Sequence, residues 1–268
     1  MSRAVSLINR IISGIIPADG HSAVSPDPDG RWFAVPKGGV ISQFMDYKSG
    51  TYAARPAASA VNAGMIYIAT DIGIAPGCLF RSTGSAWAQV GICRLFTGTA
   101  NVVMNTTGAE TSIFGTGIGS ITLPNGCLAV GTAFSYLVNV RLSGDAGSFA
   151  KVRQKQYIGS TAVGDDGGNL EQVQVWSAGY HAQFWGNMVV RTLGAPGTVM
   201  AAGGYDRMMT ASTGANLTLF RLPIYSDTAT NCTTTGAISP DAKVTIDTFT
   251  NNPVLTTDGG YMDVTGLV

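Results

Sequence analysis

Apolar and polar residues alternate over much of the chain. Val173-Gln174-Val175-Trp176 and Val244-Thr245-Ile246-Asp247-Thr248-Phe249 put apolar side chains on one face and polar ones on the other. That is the period of a half-buried strand. Similar runs bounded by Gly, Asn and Asp turns fall at 93–96, 111–114, 120–123, 133–142, 149–158, 170–176, 188–193, 217–222, 244–249 and 261–267. Roughly eight to ten strands with no helical run between them predict a two-sheet antiparallel sandwich of jelly-roll type over residues 93–268. An up-and-down barrel is the alternative.

The N-terminus has a different period. Val5, Ile8, Ile12, Ile15 and Ile16 recur at helical spacing behind Ser2, a suitable N-cap. So short a helix does not hold alone in water. Residues 1–20 are therefore expected to be a docking helix, pairing with its own copies or entering a groove on another protein; the alternative folds it back onto its own domain. Residues 21–63 are expected to form an extended arm and linker, interrupted by one strand at Val40 to Met45. The stretch PADGHSAVSPDPDGRWFAVP, 17–36, is rich in Pro and Asp-Gly, which disfavours regular elements. Trp32 and Phe33 are its expected anchors, and the Ala/Ser/Pro run at 52–60 has linker composition.

Residues 64–92 predict a small β-module. Two short strands flank a Gly/Pro turn, and a Ser-Thr-Gly-Ser turn leads into a Trp-centred third strand. Tyr67-Ile68-Ala69-Thr70-Asp71, Leu79-Phe80-Arg81-Ser82 and Gly84-Ser85-Ala86-Trp87 carry the pattern. It resembles the module that recurs in bacteriophage fibre, spike and other virion surface proteins, with Phe80 where Tyr is usual and a turn lengthened by Ile74–Gly77. A second run, Glu110-Thr111-Ser112 through glycines to Leu123-Pro124, resembles a segment of jelly-roll domains in phage structural proteins.

Composition narrows the function. Hydrophobic residues make up 45% of the 268 and charged ones 12%, about half the usual share. With Glu only at positions 110 and 171, long solvent-facing helices are disfavoured. Mean hydropathy is +0.21, yet no run reaches the length of a membrane-spanning helix. The apolar surplus is expected to be covered by other copies of the chain. Sixteen basic and sixteen acidic residues, with no basic stripe, leave nucleic acid without an electrostatic footprint. Lys151-Val152-Arg153-Gln154-Lys155 reads as the wet face of one strand. The four cysteines, at 78, 93, 127 and 232, form no C-x-x-C pair and read as buried thiols, which suits assembly in a reducing cytoplasm.

Candidate chemistry is sparse. His21 and His181 are the only histidines, and no nucleophile elbow accompanies either. Gly115–Gly119 lacks the spacing and following helix of a phosphate loop. Asp165-Asp166-Gly167-Gly168-Asn169 departs from a calcium loop. No catalytic residue, cofactor or metal is expected. The densest aromatic cluster, Tyr180, His181, Phe184 and Trp185 with Gln183 and Asn187 nearby, is either sandwich core or subunit interface, or a receptor and glycan contact.

The resemblance implies a virion surface protein: a fibre, spike or capsid decoration subunit assembled in the host bacterial cytoplasm. It would be a homotrimer docked onto capsid or tail proteins through Val5, Ile8, Ile12, Ile15, Trp32 and Phe33. Its sandwich would face outward to solvent or a host glycan. The alternatives are a polysaccharide-binding or polysaccharide-degrading tailspike, or a secreted lectin or adhesin, although the N-terminus lacks a signal-type cleavage site.

Overall fold

A computed structural model describes residues 21–26, 32–36, 42–45, 47–106, 108–115, 121–143, 148–165, 171–175, 180–208, 226–232, 238–250 and 254–268. The expected helix at 2–16, with Val5, Ile8, Ile12 and Ile15, lies outside them. The described residues are mainly strand, with two short 3-10 turns, and no helix among them is long and apolar enough to cross a membrane. They divide into two compact units, one comprising residues up to Ala69 with Leu79–Val90, the other Thr70–Cys78 with Gly91–Val268.

In the smaller unit, β1 (His21–Pro26), β2 (Trp32–Pro36) and β3 (Ser42–Met45) form an antiparallel sheet in that order. An extended arm is the expectation for residues 21–36, whereas the strand expected at 40–45 is present as β3. The prolines do not prevent pairing, because Pro26 and Pro36 stand at strand ends, where a missing N–H is tolerated. A second sheet has the order β4 (Tyr47–Gly50), β5 (Ile66–Ala69), β6 (Cys78–Ser82) and β7 (Trp87–Gln89), with β4 parallel to β5 and β6 antiparallel to β7. The Tyr-Ile-Ala, Leu-Phe-Arg-Ser and Trp-Ala segments are thus β5, β6 and β7. Thr83 closes the β6–β7 turn: its N–H and hydroxyl both donate to the Ala86 carbonyl, at 2.8 and 3.0 Å.

The presumed linker is part of this unit's body. Tyr52 is buried and meets Phe80 edge-on at 5.9 Å. Tyr67 Oη donates to the Thr51 carbonyl and Trp87 Nε1 to the Pro56 carbonyl, each at 2.8 Å. Asn62 Nδ2 donates to the Ala57 carbonyl at 2.7 Å, while its Oδ1 accepts from Ser59 N–H and Ser82 Oγ at 2.9 Å. Low-complexity composition concealed these tertiary bonds.

The larger unit begins with β8 (Cys93–Gly98), β9 (Val103–Met104), β10 (Glu110–Ser112), β11 (Ala133–Ser143), β12 (Ser148–Ile158) and β13 (Thr161–Asp165). It continues with β14 (Glu171–Val175), β15 (Tyr180–Thr192), β16 (Gly194–Met208), β17 (Ser226–Cys232), β18 (Pro240–Thr250) and β19 (Val254–Thr265). One sheet of seven runs β17-β16-β15-β11-β19-β8, with β9 beside β19; a sheet of five runs β10-β18-β12-β13, with β14 beside β12. The described pairings in both are antiparallel.

The two sheets face each other, consistent with a β-sandwich. Strand alternation buries Phe134, Tyr136, Val138 and Val140 from β11, Ala182, Phe184, Met188 and Val190 from β15, and Val244 and Ile246 from β18. Each large apolar side chain so buried contributes about 1.5–3 kcal/mol. Phe114 bridges Phe96 and Tyr136 with edge contacts at 5.8 Å to each.

Gln154, from the charged-looking run on β12, and Gln156 just after it also point into this core. Gln154 Nε2 donates to Tyr136 Oη and to the Trp185 carbonyl, and Gln156 Nε2 to the Ala202 carbonyl at 2.8 Å. Space for Gln156 comes from Gly186 and Gly203, which stand opposite each other on β15 and β16. A Cβ on either would collide with Gln156 Nε2. Glycine in a strand interior here marks the close approach of another side chain.

Candidate functional site

The period of two along β15 separates the aromatic cluster. Ala182, Phe184, Gly186, Met188 and Val190 face the opposing sheet, and Phe184 lies 5.1 Å from the Tyr205 ring inside the core. His181 and Asn187 are exposed on the other face, with Gln183 and Trp185 half-buried beside them. Tyr180 begins the strand opposite Leu142. Phe184 is therefore a core residue, whereas His181 and Trp185 share the outward surface. Trp32 and Phe33 belong to β2, where Trp32 pairs with Pro26 and Met45 and Phe33 with Ser25 and Gln43.

Register shows which side chains accompany Trp185. Thr97, Tyr261, Leu137, Trp185 and Gly204 stand opposite one another across five strands. The flanking rows are Arg94, Asp263, Ser135, Asn187, Ala202 on one side, where a register shift on β8 adds a residue, and Gly259, Asn139, Gln183, Asp206 on the other. An apolar and aromatic band thus runs between two polar rows. Gln183 Nε2 donates to Asn139 Oδ1 at 2.9 Å. Arg94 ion-pairs with Asp263 and lies 4.1 Å from the Tyr261 ring centre. Arg141 holds Asp258 through Nε and Nη2, the shortest contact being 2.7 Å. Trp185 Nε1 is buried and makes no hydrogen bond with the described residues. Amides beside a ring face can accept and donate to hydroxyls while the ring stacks on a sugar. Sequence reasoning missed Tyr261, Asn139 and Arg94, because only strand register brings them beside Trp185.

The five-stranded sheet carries a second polar cluster on its outward face. Glu110 Oε1 pairs with Lys155 Nζ at 3.0 Å, and its Oε2 accepts from Tyr157 Oη at 2.7 Å, with Lys243 Nζ 3.8 Å away. Burial alone would raise the Glu110 pKa; Tyr157 and the two lysines outweigh it and hold the carboxyl below its ordinary range. Burial, with Glu110 alongside, pushes the Tyr157 hydroxyl well above its usual value. Asp241 is raised, chiefly by burial, although Ser112 Oγ and the Ala242 N–H donate to it at 2.8 and 2.7 Å. Asp165, from the calcium-like run, is held by Arg153 at 2.8 and 2.6 Å, and the rest of that run, 166–169, lies outside the described residues. Among the described residues no cluster of three His, Cys, Asp or Glu side chains is placed to hold a metal.

The smaller unit has one unusual centre. The Arg55 guanidinium lies 4.3, 4.9 and 5.2 Å from the ring centres of Tyr52, Phe80 and Trp87. Its Nη1 is buried with no hydrogen-bond partner among the described residues, so ring faces stabilise the cation. Comparison with protein-family models and with curated proteins finds no match for this sequence.

Proposed function

We propose that the chain is a structural virion surface protein, a fibre, spike or capsid decoration subunit. It is docked through its N-terminus onto other virion proteins, with its C-terminal domain a jelly roll facing outward. The observation that carries this reading is strand order. Numbering β8, β10, β11, β12, β13, β15, β18 and β19 from one to eight, the sheets run 1-8-3-6 and 2-7-4-5. This is the order produced when a folded ribbon, pairing 1 with 8, 2 with 7, 3 with 6 and 4 with 5, rolls into two sheets. Such jelly rolls serve in viral capsids and lectins. β16 and β17 extend one sheet beyond this plan, and the virion-type module lies N-terminal to it.

A passive role also suits the carboxylates. Glu110, Asp165, Asp258 and Asp263 are each held by a basic partner rather than presented in a groove. Host glycan is the ligand favoured for the outward face, on the strength of Trp185 standing between the Asn139–Gln183 and Asn187 rows. Many weak contacts of that kind gain strength when copies are joined.

Light scattering on the purified chain, together with immunogold labelling of phage particles, tests the reading. A mass three times the 27.7 kDa chain and gold on the particle surface are expected. A folded monomer at micromolar concentration, or unlabelled particles, overturns it.

A further inference from the structure

Burial along the outward rows of the seven-stranded sheet gives that face relief. Tyr261, Leu137 and Trp185 are half-buried, whereas Ser135 and Asn187 on one side and Asn139 on the other are exposed. An apolar floor therefore runs across the strands between two polar walls. It continues past Trp185 over Gly204, which has no side chain to end it.

The spacing of the two rings limits what can lie there. Tyr261 and Trp185 both stand opposite Leu137, one on each side of β11. Adjacent strands lie about 4.8 Å apart, so the two aromatic positions are about 10 Å apart across the sheet. That matches the two-unit repeat of an extended β-1,4-linked pyranose chain. In such a ribbon each sugar is turned over relative to the one before, so the first and third units present the same face. Those faces can stack on Trp185 and Tyr261 while the middle unit crosses Leu137. A single sugar reaches one ring only. Arg94 lies 4.1 Å from the Tyr261 ring centre and backs that ring from one side.

Charge selects further. Arg94 is paired with Asp263 and Arg141 with Asp258, so these ionic groups beside the floor neutralise each other. The walls contribute the Ser135 hydroxyl and the amides of Asn139, Gln183 and Asn187, with Gln183 Nε2 donating to Asn139 Oδ1 at 2.9 Å. Such groups both donate to and accept from sugar hydroxyls, and they carry no charge to attract an acidic chain. We propose that this face binds a neutral, extended oligosaccharide laid across β19, β11 and β15, with three units filling the span from Trp185 to Tyr261. The proposal rests on the glycan reading of this face and adds the ligand's length, direction and charge class.

Cello-, manno- and chito-oligosaccharides of one to five units are titrated calorimetrically into the full chain. Malto-oligosaccharides are the coiled control and hyaluronan fragments the acidic one. At least one extended neutral series is expected to bind, gaining about tenfold in affinity from disaccharide to trisaccharide and little beyond. Tyr261→Ala should erase that gain and leave the shorter sugars bound as before, a pattern that loss of the fold would not give. Trp185→Ala should weaken every length, while Trp185→Phe, which keeps a ring, should retain most of the affinity. Binding that does not strengthen with length, that prefers the coiled or acidic chains, or that survives Tyr261→Ala in full overturns the proposal and leaves a glycan site on this face. No binding by any series also overturns it. Binding insensitive to Trp185→Ala removes the glycan reading of this face as well. If Trp185→Ala instead lowers the mass seen by light scattering, a second copy covers the floor and the proposal fails.

Discussion

The smaller unit surrounds a permanent cation with ring faces, whereas the larger one threads neutral amides into gaps where side chains are missing. The half-buried Arg55 guanidinium is stabilised by the quadrupoles of Tyr52, Phe80 and Trp87. Gln154 and Gln156 carry no charge, and their burial is offset by hydrogen bonds to Tyr136 and to strand carbonyls. The offset is incomplete, since Gln156 Oε1 is buried without a hydrogen-bond partner among the described residues. The first solution tolerates small shifts of its rings. The second depends on the positions of two glycines and has little room for error.

The largest effect is therefore expected at the glycine pair. In Gly203→Ala the new Cβ meets Gln156 Nε2, the Trp185 carbonyl oxygen at 2.9 Å and Gly186 Cα at 3.4 Å. The glutamine can rotate away, but the neighbouring strand cannot retreat without losing β15–β16 pairing. A loss of about 3 kcal/mol is expected in chemical denaturation followed by circular dichroism. Gly98→Ala is the control, because its nearest neighbour would be at an ordinary 3.5 Å. Equal stability of the two variants would mean the slot has no steric role.

Arg55 sharpens the comparison in the other unit. Arg55→Ala removes both cation and stem and is expected to cost about 2 kcal/mol. Arg55→Met keeps most of the apolar packing and should lose only about 1 kcal/mol. A Met variant as stable as the parent chain would show that the rings gain nothing from the charge.

Residue chemistry decides how much of this could be read beforehand. Strict alternation made β12 and β18 legible, since Val152, Val244 and Ile246 face the core as their period dictates. β16 was not expected, because its Gly-Ala-Pro-Gly start and Ala-Ala-Gly-Gly centre lack the β-branched residues that mark strands. The small side chains have a purpose visible only across the sheet gap, where Gln156 enters. Arg55 stood in a stretch of linker composition, and nothing local pairs it with Phe80 and Trp87 farther along the chain. The aromatic cluster was identified by density, while the period of two that divides Phe184 from Trp185 depends on knowing that β15 starts at Tyr180.

The smallest expected effect, and the one that separates the units by titration, concerns acid. Glu110 is depressed below its ordinary 4.5, so its contribution is present above that value and is lost as pH falls through the folded pKa. Asp241 is raised above 3.8 and has the opposite sign: its folded carboxyl holds its proton longer, so stability it contributes at low pH is lost as pH rises through the folded pKa. Both groups belong to the larger unit. Hydrogen exchange at falling pH should therefore show Ala133–Ser143 losing protection before Ile66–Ala69 does. Glu110→Gln should flatten that loss by less than about 1 kcal/mol. Asp241→Asn, which keeps an oxygen to accept from Ser112 and Ala242, should steepen it by removing the counterweight. If Asp241→Asn flattens the acid limb as well, the two carboxyls share one sign and burial does not govern Asp241.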